Sequence, residues 1–201
     1  MEKGNLLIVL SGKTASGKDT IIERLLSGYP SIRKIITTTT RIPRNEEKAG
    51  IDYKFITEEE FKRKINEGDF LEYVEYGGNF YGTEKPQILL ALDESVIWKI
   101  DPSRSGEIRQ FVEKAFSPPI ASQLLRNLLV IYLTVDDETI LQRLKQRGLP
   151  EKEINLRIEE DKLYWERYKD KYDYVIENVP GKLDETVSQI SRIIEAQKTS
   201  Q

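Results

Sequence analysis

The residues best suited to chemistry form one short segment, Gly12-Lys13-Thr14-Ala15-Ser16-Gly17-Lys18, a Gly-x4-Gly-Lys spacing that runs on into Asp19 and Thr20. Glycines at both ends let the backbone curl until successive N–H groups point at one anion, and the lysine reaches the β- and γ-phosphates of a nucleoside triphosphate. Gly12 to Thr20 are therefore candidate triphosphate contacts, with Lys18 the catalytic cation. The residue after that lysine is ordinarily a Ser or Thr that touches Mg²⁺; here it is Asp19. A carboxylate also holds a hydrated Mg²⁺, so Asp19 and the adjacent Thr20 are the candidate metal contacts, partly through water. A second cluster, Thr37-Thr38-Thr39-Thr40-Arg41-Ile42-Pro43-Arg44, sets two arginines three residues apart behind a run of hydroxyls. Guanidinium forks match phosphate oxygens in a bidentate way. This loop is either a monophosphate clamp or a solvated basic turn.

Histidine and cysteine are both absent. Disulfides, thiolate metal sites, cysteine nucleophiles and the commonest general base are excluded. The chemistry must rest on Lys, Arg, carboxylates, hydroxyls and backbone. With 31 basic against 34 acidic residues and no long block of one sign, a broad nucleic-acid-binding surface is not expected. No stretch approaches the ~20 apolar residues of a membrane span, and the start lacks the apolar segment and cleavage site of a signal peptide. The expected compartment is the cytoplasm.

The elements that must position these residues alternate along the chain. Leu6–Leu10 reads as a strand buried on both faces, followed after the loop by a helix over Thr20–Leu26 that Gly28 and Pro30 close. A strand is predicted at Lys34–Thr38, then an exposed loop from Arg41 to Gly50. Asp52–Ile56 and Phe70–Tyr76 read as strands around a helix at Glu58–Asn66 with Thr57 as its N-cap, and Gly77-Gly78 turns the chain back into Asn79–Gly82. Strands follow at Ser95–Ile100, Leu128–Val135 and Tyr174–Glu177. Helices are predicted at Gly106–Phe116, Asp137–Gln146 (capped by Asp136), Glu151–Tyr172 and Leu183–Ala196, with a frayed tail after that. In the helix over Glu151–Tyr172, Ile154, Ile158 and Leu163 are assigned to one buried face; residues 117–127 have no clear pattern. The whole implies a three-layer α/β fold with a parallel core sheet of about five strands and right-handed crossovers.

Taken in order and spacing, Thr39-Thr40-Arg41-x-Pro-Arg44, Gly50-x-x-Tyr53-x-Phe55, Glu59-x-Phe61, Phe70-x-Glu72 and Asn79-Phe80-Tyr81-Gly82-Thr83 resemble the acceptor-binding region of guanylate kinases. With the phosphate loop and the later arginines the resemblance covers about residue 4 to about residue 195. It implies a P-loop NTPase core of residues 1–35 and 89–201, a mixed α/β GMP-binding insertion at 36–88 and a helical lid near 136–166. The activity implied is transfer of a phosphoryl group from ATP to GMP with Mg²⁺. Arg41, Arg44, Tyr53 and Tyr81 would hold the GMP phosphate, Thr37 and Thr83 would face guanine O6, and Glu72 would accept from guanine N1 and N2. Asp101 would reach the guanine amino group. Arg143 and Arg157 would join Lys18 and Arg41 as catalytic cations, Arg147 would stack on adenine, and Asn178 would contact the same base. Read without the resemblance, Tyr53 and Tyr81 are equally a small core, Glu72 a solvated strand residue, and Arg143 to Arg157 a solvated helix face.

The family pairs two acidic residues at the end of the third core strand, where this chain reads Trp98-Lys99-Ile100-Asp101. Either a carboxylate has moved from the sheet edge to Asp19 in the phosphate loop, conserving charge near the metal, or Lys99 points away and Asp19 caps the first helix. Two rival functions stay open at this level. One is a related kinase for another nucleoside monophosphate or a phosphorylated ribose. The other is a silent guanylate-kinase-like domain that binds phosphopeptides. The sequence leaves monomer and homodimer equally open.

Overall fold

Leu6, Leu7, Ile8, Val9 and Leu10 have no exposed surface at all, because strand β1 (Leu7–Gly12) is the middle strand of a five-stranded parallel sheet. The computed structural model describes residues 4–199. The other strands of this sheet are β2 (Ile32–Lys34), β7 (Ser95–Lys99), β8 (Leu128–Thr134) and β9 (Tyr174–Glu177), in the order β2-β7-β1-β8-β9. Pleating sends alternate side chains to opposite faces, and each face has its own helical layer. Leu6, Ile8 and Leu10 pack with Ile21, Ile22 and Leu25 of α1 (Lys18–Gly28) and with Ile190 and Ile194 of α9 (Leu183–Thr199). Leu7, Val9 and Trp98 pack instead with Ile108 and Val112 of α5 (Ile108–Ala115) and with Ala121 and Leu124 of α6 (Pro118–Arg126). The three-layer fold is as the apolar runs imply.

The strand expected at Lys34–Thr38 is two strands in two sheets. β2 ends at Lys34, the Ile35 amide still bonds to Ile97 at 2.9 Å, and the Ile36 amide then turns to the Gln87 side chain at 3.0 Å. The chain resumes as β3 (Thr38–Thr39) in a separate sheet of order β4-β3-β6-β5. Here β4 (Lys54–Phe55) runs parallel to β3, and the hairpin of β5 (Phe70–Tyr76) and β6 (Asn79–Glu84) turns at Gly77-Gly78. Helix α2 (Glu58–Glu67), with the Thr57 hydroxyl accepting the Glu60 amide at 3.2 Å, covers this second sheet. Phe61 of α2 is fully buried and stacks on Phe70 and Phe80, with ring centroids 4.3 and 5.3 Å away.

A short helix, α3 (Lys85–Leu89), leads back to β7, and α4 (Pro102–Ser105) follows β7 directly. The stretch at 117–127, without pattern in the sequence, is α6: two prolines occupy its first turn, where a missing N–H costs nothing. Helices α7 (Asp137–Gln146) and α8 (Glu151–Tyr168) share a small apolar cluster of Ile140, Leu144 and Ile154. The buried positions of α8 are Ile154, Asp161 and Tyr168; they recur every seven residues and so share one face. Leu163 lies about 200° around the helix from Asp161 and is 70% exposed, contrary to the face expected for it. Helix α9 continues past Ala196 to Thr199, so the tail is helical to that point, and residues 200–201 lie outside the described residues.

Because Phe61 ties α2 to both strands of the β5–β6 hairpin, Phe61→Ala should cost about 3–5 kcal/mol. A urea titration should show the midpoint falling with little change in slope.

Candidate active site

The phosphate loop leaves β1 at the C-terminal edge of the sheet, the place where open parallel sheets present their ligand crevice. At Gly12, with φ 145°, a Cβ would lie 2.1 Å from the Leu133 carbonyl oxygen, so only glycine lets the end of β1 rest so closely on β8. Gly17 takes the left-handed φ of 92° at the start of α1. Within the loop the Ser16 amide bonds to Lys13 O at 3.3 Å, and Lys18 Nζ donates to the carbonyls of Gly12 and Lys13, each at 2.7 Å. Burial lowers the Lys18 pKa to about 8, an effect that the Asp161 charge opposes.

Asn178 is buried beneath the loop. Its Nδ2 donates to Ser16 O at 2.9 Å and its Oδ1 accepts from the Thr186 hydroxyl at 3.1 Å. It braces the loop from below. Lys13 reaches across to Val135 O at 3.1 Å and Asp137 at 2.9 Å.

Asp161 is the residue that sequence reasoning missed here. Its Oδ2 accepts the Thr14 amide at 2.7 Å, so a carboxylate of α8 occupies a backbone donor of the phosphate cradle. Burial raises its pKa to about 6, against the Thr14 hydrogen bond and Lys18, which favour the charged form. A signal was present in the sequence: Asp161 stands in register with Ile154 and Tyr168 on the helix face that turns inward.

A cleft of about 270 Å³ joins the loop to the second sheet; Lys18, Thr37, Tyr53, Glu72, Tyr81, Asp101 and Arg157 are all among its walls. Tyr53 and Tyr81 meet edge to face at 6.3 Å. Arg41 lies over the Tyr53 ring at 5.6 Å and gives Nη2 to both oxygens of Glu47, at 2.7 and 2.8 Å. Glu47 also accepts the Arg44 amide at 2.9 Å, so one carboxylate orients this loop; Arg44 itself is exposed.

Glu72 is only 8% exposed and belongs to β5, opposite Thr83 of β6. Burial raises its pKa to about 7, opposed by a hydrogen bond from the Thr83 side chain. Thr83 Oγ1 in turn accepts the Trp98 indole N–H at 3.0 Å, so Trp98, Thr83 and Glu72 form one relay from the core sheet to the cleft.

Of the lid candidates, Arg143 donates to Ala15 O at 2.7 Å, on the phosphate loop. Arg157 lies 5.2 Å over the Tyr76 ring and donates to Glu153 at 2.7 Å. Arg147 caps the end of α7 and is exposed, apart from the cleft walls. Asp101 caps α4, accepting the Ser103 amide at 2.8 Å.

Asp19 and Lys99, set at odds in the sequence, are partners: Lys99 Nζ is 2.6 Å from Asp19 Oδ1. Among the described residues no three acidic side chains gather into a metal cage. Mg²⁺ needs none, since it keeps several waters and takes one or two carboxylates together with substrate phosphates. The Asp19 side chain is 72% exposed, with room for a hydrated ion, and Thr20 is exposed beside it. That donor set fits a hydrated, phosphate-bound divalent cation.

One cleft joins the phosphate loop to the second sheet, and the sheet order and phosphate loop are those of P-loop kinases. A shikimate kinase from Acinetobacter baumannii shares that fold alone, at 14% identity and a TM-score of 0.51. The match narrows with the family model for guanylate kinase, which covers residues 4–197. A guanylate kinase of Clostridium tetani is 35% identical across 98% of this chain and 88% of its own length, and one of Fusobacterium nucleatum is 33% identical across 94% and 95%. The crystal structure of guanylate kinase from Anaplasma phagocytophilum aligns with a TM-score of 0.67 at 26% identity, covering 98% of this chain and 88% of that one. The chain belongs to the guanylate kinase family.

The buried Asp161 carboxylate carries a pH signature. Its folded-state pKa lies above the value of an unfolded aspartate, so its contribution to stability is full below about pH 4 and is lost as pH rises through about 6. Asp161→Asn, which keeps an acceptor for the Thr14 amide, should therefore stabilise the protein at pH 8 by on the order of 2–3 kcal/mol and have little effect at pH 4. Thermal melts of both proteins across that range would test it.

Proposed function

We propose that this protein transfers the γ-phosphoryl group of ATP to GMP with Mg²⁺, giving ADP and GDP in the cytoplasm. The observation that carries the reading is the buried carboxylate of Glu72 in the cleft wall, held by Thr83 and, among the described residues, in no salt bridge. Guanine offers adjacent N1–H and N2–H donors that one carboxylate accepts together. Adenine has no such pair, and against it Glu72 stays buried and unsatisfied, at a cost of about 1–3 kcal/mol or more. Thr37, Thr83 and Asp101 complete the base site, and Arg41, Arg44, Tyr53 and Tyr81 the acceptor phosphate site.

An oxygen of the GMP phosphate attacks the γ-phosphorus in line, the bond from that phosphorus to the β–γ bridging oxygen breaks, and ADP leaves. The acceptor phosphate has a second pKa of about 6 and is largely dianionic at neutral pH, so no general base has to remove a proton. That suits a chain without histidine. Catalysis is then positioning and neutralisation of charge. Lys18 and the phosphate loop hold the donor. Arg143 and Arg157 approach from the helices α7 and α8, with Arg147 and Asn178 on the adenine side. Asp19 and Thr20 would hold Mg²⁺ through its water shell; the ion supplies charge neutralisation on the donor phosphates.

An ADP-release assay with GMP, dGMP, AMP, CMP and UMP should show turnover with the two guanine nucleotides, and kcat/KM for AMP lower by about 10³-fold or more. Activity with another acceptor and none with GMP would overturn the reading. Glu72 must be ionised to accept from guanine, and its pKa in the free protein is about 7. GMP affinity should therefore fall about tenfold per pH unit below 7 and level off above 8. Glu72→Gln should bind GMP about 10–100-fold more weakly at pH 8 and lack the part of that pH dependence that Glu72 causes, as calorimetry would record.

A further inference from the structure

Lys99 ends β7, directly beside β1, where Leu10 is its register partner and the phosphate loop begins two residues later. Its ammonium stands between the two halves of the cleft. On the donor side it is 2.6 Å from Asp19, the residue after Lys18. On the acceptor side it lies 5.6 Å from the centroid of the Tyr53 ring, the distance at which Arg41 also sits over that ring. The groups that face it are Asp19 and Tyr53, both in hydrogen-bond contact with it, with Lys18 near enough to feel its charge and Asp101 also on the cleft wall. Two ammonium groups, Lys18 and Lys99, thus border the same cleft, among the carboxylates of Asp19, Glu72, Asp101, Glu160 and Asp161.

Given the guanylate kinase reading above, on which this rests, we infer that Lys99 is a further catalytic cation: on substrate binding it leaves Asp19 and donates hydrogen bonds to the phosphoryl oxygens between donor and acceptor. The exchange of partners is favourable on both sides. The Asp19 side chain is 72% exposed, so its carboxylate can pass from Lys99 to water at little cost. Lys99 is 29% exposed, partly stripped of water, and a phosphate dianion is the stronger partner for it. Its departure also frees both Asp19 oxygens for the water shell of Mg²⁺. Lys99 stays protonated throughout and exchanges no proton with the substrate.

Calorimetry with GMP alone and with a non-hydrolysable ATP analogue plus Mg²⁺, beside steady-state kinetics, tests this. Lys99→Met should weaken GMP binding by about 10–100-fold and lower kcat by about 10²–10³-fold. Its affinity for the ATP analogue should stay within about threefold of the unsubstituted protein, a change worth under 1 kcal/mol. Lys99→Arg should recover most of the GMP affinity. Asp19→Asn, which releases the ammonium, should bind GMP at least as tightly as the unsubstituted protein. If Lys99→Met binds and phosphorylates GMP normally, or if Asp19→Asn weakens GMP as much as Lys99→Met does, the pair is a brace and the inference fails. Should Lys99→Met not fold, Asp19→Asn decides alone against the unsubstituted protein: GMP binding at least as tight supports the inference, and binding weaker by about tenfold or more overturns it. An unsubstituted protein that binds no GMP would overturn the functional reading and this inference together, whereas normal GMP binding by Lys99→Met would overturn this inference only.

Discussion

Two polyanions must come into contact inside one cleft, and the mutual repulsion of their phosphates is the constraint around which the site is built. The cations proposed to meet them come from three separate parts of the fold: Lys18 from the phosphate loop, Arg41 from the loop after β3, and Arg143 and Arg157 from the pair of helices after β8. In this structure each is already engaged. Lys18 is held by loop carbonyls, Arg41 by Glu47, Arg157 by Glu153 and Arg143 by Ala15 O. Even the Thr14 amide of the cradle has a carboxylate on it, from Asp161. Internal anions and carbonyls thus hold these cationic side chains in place; in the proposed reaction the substrate phosphates would take over from them.

These partners differ in how readily they yield. Glu153 and Asp19 are well exposed, so their ion pairs contribute little and can be given up. Glu47 is different: its side chain is only 17% exposed and it holds both the Arg41 guanidinium and the Arg44 backbone, so it orients the loop. Asp161 and Glu72 lie at the other extreme. Both carboxylates are buried with raised pKa values, a standing cost to stability near neutral pH. In Glu72 that cost is the same property the proposed guanine recognition uses, since a buried acceptor short of donors discriminates strongly between bases.

The fold makes this possible by dividing labour between two sheets. The parallel sheet, buried on both faces, sets the loop rigidly at its edge, with Gly12 pressed against Leu133 and Asn178 beneath Ser16. The smaller sheet carries the proposed base and phosphate recognition, and its own aromatic stack around Phe61 gives it a separate core. A single hydrogen bond from Trp98 to Thr83 links the two close to Glu72. No helix in the described residues is long and apolar enough to cross a membrane.

Much of this was legible in the chain itself. Continuous apolar runs announced the buried strands, the Gly-x4-Gly-Lys spacing located the phosphate loop, and the hairpin and its capped helix followed from Gly77-Gly78 and Thr57. These are local signals, set by backbone conformational preference and by periodicity, and the neighbours in sequence are sufficient to determine them. What depended on distant parts of the chain was not legible. The break between β2 and β3 follows from which sheet edge is free to pair, and although the register of Asp161 with Ile154 and Tyr168 marks an inward face, its contact with Thr14 depends on how α8 packs against the loop. Asp19 and Lys99 are 80 residues apart, and their types alone suggested either a displaced carboxylate or two unrelated side chains. Only the order of the sheet, with β7 laid beside β1, brings ammonium and carboxylate to 2.6 Å, because strand adjacency is decided by packing across the whole core.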